Sequence, residues 1–231
     1  MLKFFFNNLH ALFFPHLCYA CNAQPISTKQ KFLCPICDYS IKSNQFHSLI
    51  DNPVMDKFPI ENRLTFASTG FVFNKNGIIQ NLIHQLKYDN RPEIGFELGK
   101  RCGQELIKHQ DYIAVDAILP VPMHPKKQKE RGYNQAEIFA KGISESIATP
   151  VESEWVTKRT NTISQTKMNR SERINNVKDT FYINAPDHLK DKHLLLVDDV
   201  ITTGATLEAL MNTLKKIEGV RFSIVAIALA N

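Results

Sequence analysis

Two carboxylates, Asp198 and Asp199, stand between four apolar residues and a Thr/Gly-rich loop in the stretch LLLVDDVITTGATL, residues 194 to 207. The loop has the chemistry of an anion site. Gly204 allows a tight turn, the amides of Gly204, Ala205 and Thr206 open a helix N-terminus, and Thr202, Thr203 and Thr206 add hydroxyl donors. Two acids beside a phosphate would repel it, so their task is to accept hydrogen bonds from a vicinal diol, as acidic side chains do for ribose in dinucleotide sites. The ligand implied is a ribose 5-phosphate. The structural alternative is that Asp-Asp starts a turn and Thr203 caps the helix. A cap needs one such residue, and six polar or glycine positions among the nine from Asp198 to Thr206 exceed that need.

Leu194 to Val197 are uniformly apolar, which one face of an amphipathic strand does not require, so the pattern predicts a strand covered on both sides, as in a parallel sheet. From Ala205 the apolar positions Leu207, Leu210, Leu214 and Ile217 recur at helical spacing, and Arg221 to Ala230 read as another buried strand. The result is a βαβ unit, in which ligands sit beyond the carboxyl ends of the strands. Upstream, Leu64 to Phe73 suit one or two strands. Ile78, Ile79, Leu82, Ile83 and Leu86 share one helix face and leave Lys87 near the helix end, where a cation is favoured. A second helix is expected from Pro92 to about His109. AILPV, residues 117 to 121, ends a strand at two prolines, MHPKKQKERG is read as a loop, and Asn134 to Ile147 as a helix. Residues 151 to 158 are a candidate strand around Trp155. The polar run from Arg159 to Asn176 holds no Pro or Gly, and long polar segments inside compact domains are functional lids or disordered.

Cysteines divide the chain. Cys18-Tyr-Ala-Cys21 and Cys34-Pro-Ile-Cys37 are two CxxC knuckles with twelve residues between them, a spacing that brings four thiolates around one tetrahedral zinc. Disulfides would suit a secreted chain, and a redox pair would need only one such motif. Asn22 and Asp38 follow the knuckles where Gly would be expected; both tolerate a left-handed backbone. His16 and His47 are spare candidate ligands, and Cys102 falls in a helical stretch as core. The expected organisation is an N-terminal segment and zinc ribbon over 1–50, a linker over 51–62 with two prolines and no period, and an α/β domain over 63–231.

MLKFFFNNLHALFF at the N-terminus has an apolar run broken by Asn7, Asn8 and His10, and the nearest small residues lie in or just past a CxxC, so it is read as a short helix rather than a cleaved signal. No run of about 18 apolar residues exists to span a membrane. A cytoplasmic chain is expected. Net charge is +5, which suits a polyanionic ligand and permits nucleic-acid binding without requiring it. Lys126, Lys127, Lys129 and Arg131 cluster, as do Lys158, Arg159, Lys167, Arg170 and Arg173; a solvated basic surface is the alternative reading of the first group.

The acidic pair followed by the Thr/Gly loop resembles the 5-phosphoribosyl 1-diphosphate (PRPP) motif of type I phosphoribosyltransferases, without gaps from Leu194 to Thr206. Three more segments, LIHQLKYDNR (82 to 91), VPMHPKKQKERGYNQAE (121 to 137) and RTNTISQTKMNRSERINNVKDTF (159 to 181), resemble one branch of that group, the ComF family of competence-associated proteins, which includes GntX-type proteins. The resemblance implies a type I phosphoribosyltransferase-like α/β fold with a central mostly parallel sheet and a small N-terminal four-cysteine zinc module. It implies that Asp198 and Asp199 hold the ribose hydroxyls, that Thr202, Thr203, Gly204, Ala205 and Thr206 hold the 5-phosphate, and that Mg2+ bridges ribose and diphosphate, carried by ligand oxygens and water. Lys87, His124, Arg131, Gly132, Asn134 and Gln135 match positions on the diphosphate side, with Asp199, Lys87 and Arg131 as the candidate catalytic groups. Arg159, Thr162, Gln165, Arg173 and Asn176 match a hood that closes over PRPP.

Two departures narrow the chemistry. Enzymes of 6-oxopurine salvage carry an acid where this chain has Thr202, and glutamine-dependent members need a glutaminase domain with an N-terminal Cys nucleophile that this chain lacks. The expected function is a PRPP-binding protein of DNA uptake that contacts single-stranded DNA and DNA-uptake or recombination proteins, with Tyr133 or Trp155 available for stacking. The alternative is an active phosphoribosyltransferase on an unidentified acceptor.

Overall fold

The computed structural model describes residues 16–26, 32–43, 52–58, 63–108, 114–158 and 181–230. The N-terminal helix, His47, and the hood residues Arg159, Thr162, Gln165, Arg173 and Asn176 lie outside them.

Four parallel strands form the central sheet in the order β1 (Leu64–Phe71), β6 (Arg221–Leu229), β5 (His193–Ile201), β2 (Ala117–Pro120). The central pair is apolar on both faces because both faces are covered: Leu194 to Val197 and Phe222 to Ala228 are buried. On one side pack α2 (Ile78–Tyr88), α3 (Pro92–Leu106) and α5 (Gln135–Ile147), joined in one core with Phe66, Ile118, Leu195 and Val225. On the other lies α7 (Ala205–Leu214), whose Leu207, Leu210, Met211 and Leu214 meet Leu194, Leu196 and Ile224. β5, α7 and β6 make the βαβ unit that the change of period predicts. Helix α7 ends at Leu214, before Ile217.

α3 and α5 approach until backbone meets backbone. A Cβ added at Gly99 would lie 2.1 Å from the Phe139 carbonyl oxygen, and one at Gly142 would lie 2.1 Å from that of Phe96. This fixes α5, and with it the loop that precedes it.

Three segments differ from the sequence-based expectation. Residues of the basic loop form a helix, α4 (Pro125–Arg131). It has no apolar stripe to reveal it; its signals are the ends, with Pro125 in the first turn, His124 Nδ1 accepting from the Lys126 amide at 3.2 Å, and Gly132 closing it at φ 82°. The strand sought over 151–158 is only β3 (Val156–Lys158), paired antiparallel with β4 (Phe181–Ile183), ahead of a one-turn helix α6 (Pro186–Leu189). Part of the segment read as an irregular linker is built: Asn52 Oδ1 accepts from the amides of Val54 and Met55, its Nδ2 donates to Ala67 O, and a 3-10 turn over Met55–Lys57 buries Val54 and Phe58.

The cysteine module carries α1 (Pro35–Ser40) and packs on α2 and α3. Asn81 Nδ2 donates to Ala20 O at 2.7 Å, Gln85 donates to Tyr19 O, Tyr19 Oη meets Glu93 at 3.1 Å, and the Arg91 guanidinium lies 3.9 Å from the Tyr19 ring centroid. Cys102 is buried core, its thiol pushed up by that burial. Among the described residues no helix is long and apolar enough to cross a membrane.

Candidate functional site

The strand register sets the acidic pair first. Asp198 is paired with Ala226 and Val200 with Ala228, so the backbone around Asp199 is held by the sheet at the carboxyl end of β5. Asp199 Oδ1 accepts from the Val200 amide at 2.6 Å, and its Oδ2 lies 3.0 Å from Lys87 Nζ, from the last turn of α2. Asp198 Oδ1 accepts from the Asp199 amide at 2.8 Å.

Asp198 is the strongly perturbed carboxyl here. Burial raises Asp198 to about 7 and the neighbouring Asp199 charge adds to the rise, against the Asp199 amide and the cations Lys87 and Lys158. Asp198 therefore takes up and releases a proton near neutrality. Lys158, the last residue of β3, is in turn lowered first by burial, with Asp198 opposing and Lys127 adding to the fall. The polar pattern of the sequence placed Lys158 only in a basic run; its electrostatic influence on Asp198 is a tertiary relationship that no local signal reveals.

Beyond Ile201 the loop opens. Thr202, Thr203, Ala205 and Thr206 are exposed, while Gly204 is buried at φ 82°, a left-handed conformation that glycine adopts without strain. A Cβ there would also come within 3.1 Å of Phe58 Cε1 and 3.7 Å of Lys57 Cβ, so the built turn before β1 backs the loop. The amide of Ala205 reaches Thr203 Oγ1 at 3.4 Å. Exposed amides and hydroxyls at the start of a ten-residue helix can hold an anion.

A cleft of about 550 Å³ opens beside Lys87, lined also by Tyr88, Asn90, Lys127, Lys129 and Arg131. Arg131 Nη1 donates to Gln135 Oε1 at 2.9 Å. Gln135 is fully buried, and its Nε2 has no hydrogen-bond partner among the described residues. Of the other residues matched to this side, Asn134 caps α5, accepting from the Ala136 amide and donating to Val121 O, while His124 caps α4 and Gly132 ends it. Tyr133 donates to Leu86 O at 2.6 Å, and Trp155 stands edge-on to His188, so both named stacking candidates are engaged within the fold.

The second candidate site is the cysteine cluster. Sγ of Cys18, Cys21, Cys34 and Cys37 all lie within 4.8 Å of one another, so the four can hold one metal ion, and the set is closed, as in structural zinc sites. The knuckle amides support it: Cys37 N faces Cys34 Sγ at 3.5 Å, and amides of Ala23 and Gln24 bring the Cys21 thiol down to about 6. Burial pushes the Cys37 thiol up. Asn22 takes the left-handed backbone at φ 52°. Asp38 does not; it continues α1 and pairs with Arg101. His16 is exposed and outside the cluster.

Comparison with known proteins matches residues 134–231 to the family described as "Phosphoribosyl transferase domain". The chain is 31% identical over 129 residues to "DNA utilization protein YhgH" of Shigella flexneri, a match covering 54% of this chain and about half, 56%, of that protein. The Salmonella typhimurium protein of the same name is 25% identical over 207 residues, covering 84% of this chain and 88% of its own. "Competence protein F" of Haemophilus influenzae is 33% identical over 103 residues, covering 44% and 45%.

Proposed function

We propose that this chain, which belongs to the ComF family of phosphoribosyltransferase-like proteins, binds PRPP with Mg2+ at the carboxyl end of β5 and serves DNA uptake or utilisation through contact with single-stranded DNA. The observation that carries the PRPP reading is the pairing of Lys87 with Asp199 at the edge of the Thr/Gly loop. It puts a cation, two adjacent carboxyl groups and an open anion loop in one place. A diol, a phosphate and a diphosphate need that combination.

In this reading the amides and hydroxyls of Thr202 to Thr206 bind the 5-phosphate, and Asp198 and Asp199 accept from the ribose hydroxyls. Lys87 and Arg131 face the diphosphate, with Arg131 held in place by its hydrogen bond to Gln135. Mg2+, held chiefly by ligand oxygens and water, would offset the diphosphate charge next to the acidic pair. Arg159, Gln165 and Arg173 are assigned to the hood. Zinc on Cys18, Cys21, Cys34 and Cys37 is structural. The DNA reading is supported by the relatives whose names refer to DNA utilisation and competence.

Calorimetric titration with Mg2+ and PRPP tests it. Wild type is expected to bind saturably, and the double change Asp198→Asn with Asp199→Asn is expected to lose binding. A folded, zinc-loaded wild type that shows no binding would refute the reading. Diphosphate release from PRPP in the presence of an acceptor, abolished by Asp199→Asn, would assign catalysis as well.

A further inference from the structure

We propose that Tyr88, backed by Arg131, is a stacking platform for an unpaired base of single-stranded DNA, with Lys127 and Lys129 on the adjoining phosphates. The inference rests on the DNA-handling reading above and gives it a location. Tyr88 ends α2 with 64% of its surface exposed. The ring is nonetheless held. The Arg131 guanidinium carbon lies 5.5 Å from its centroid, the His84 ring lies 4.8 Å away at 47°, and Arg131 is itself anchored on Gln135. Two neighbours thus limit the ring's freedom while leaving most of it to solvent, which lowers the ordering cost of stacking on it.

Charge names the occupant. Lys127 and Lys129 line the same cleft, and neither has a carboxylate partner among the described residues, while Glu130 is the single acid in the lining. Free diphosphate would use the cations but has no face to stack on Tyr88. Duplex DNA would offer phosphates with its base faces already stacked. A single strand offers both, and aromatic platforms flanked by cations are how such strands are bound without sequence preference.

The test is fluorescence anisotropy of a labelled oligothymidylate with the full chain, alongside PRPP calorimetry. Tyr88→Ala is expected to weaken the strand about tenfold, Tyr88→Phe to bind like wild type, and the pair Lys127→Ala with Lys129→Ala to lower the salt slope by about 1.4. PRPP affinity should stay unchanged in Tyr88→Ala. Wild-type strand affinity in Tyr88→Ala overturns the platform. Loss of PRPP binding there with strand binding kept also overturns it, giving the ring to the PRPP pocket. A wild type that binds PRPP but no strand overturns the platform and leaves the PRPP reading standing. Tighter binding of oligouridylate than oligothymidylate overturns the assignment to DNA.

Discussion

Lys87 Nζ lies 3.0 Å from Asp199 Oδ2, joining the last turn of α2 to the carboxyl end of β5. The pair is mostly covered, with about a fifth of each side chain exposed. It ties Asp199 to a cation beside the perturbed carboxyl of Asp198, and that cation is one a polyanionic ligand can share.

Lys87→Met should therefore affect binding more than stability. A part-exposed ion pair contributes on the order of 1 kcal/mol or less, so the melting temperature should move little. PRPP affinity is expected to fall about tenfold, the loss of one charge-assisted contact of about 1.4 kcal/mol. Equal affinity for wild type and variant by calorimetry would remove Lys87 from the site.

Asp198 gives the chain a pH signature. Its carboxyl sits at about 7 in the fold, above the ordinary carboxylate value. Between that value and about 7 the folded protein keeps a proton that the unfolded chain has released, so this group's support for the fold declines as pH rises through the window and is gone above it. The melting temperature of Asp198→Asn should consequently vary less with pH than that of wild type from about pH 5 to about pH 8. PRPP binding should tighten over the same rise, because the ionised carboxyl is the better acceptor for a diol. Parallel pH profiles for wild type and variant would count against the raised Asp198.

Zinc removal should reach the PRPP site through α2. That helix carries Asn81 and Gln85, which hold the carbonyls of Ala20 and Tyr19 inside the first knuckle, and two residues later Lys87. A chelator is expected to lower the melting temperature and weaken PRPP binding, with both restored by zinc. Unchanged melting after verified metal loss would make the cluster dispensable for the fold.

Much of this was legible in the sequence because it rested on local pattern. Leu194 to Val197 announced a strand covered on both sides, the change of period at Ala205 announced α7, and the two CxxC pairs sit in one cluster. What escaped had no periodic signal. Helix α4 is polar all round, so only its caps marked it. Lys158 acts on Asp198 only through the tertiary fold, and Tyr88 meets Arg131 only because α2 and α4 converge on one cleft. Tyr133, a stacking candidate from the sequence, is engaged by a hydrogen bond to Leu86 O that tertiary packing sets, whereas Tyr88, which the sequence did not single out, keeps most of its surface exposed. The choice between free and engaged aromatics belongs to that level.

Gly142 offers a test of the scaffold apart from any ligand. Its missing side chain lets α3 and α5 touch, and a Cβ there would meet the Phe96 carbonyl oxygen at 2.1 Å and the Lys100 amide nitrogen at 2.8 Å. Backbone cannot swing aside as a flexible side chain can, so Gly142→Ala must push the helices apart. Ala is the better helix former by about 1 kcal/mol, which offsets part of the loss. Overpacking of this kind costs about 1–3 kcal/mol, and the net effect should be a lower denaturant midpoint. Because α5 begins at the Asn134 cap and carries Gln135, which anchors Arg131, the same change should also weaken binding at the cleft. A midpoint equal to or above that of wild type would show that the two helices are not held at this separation.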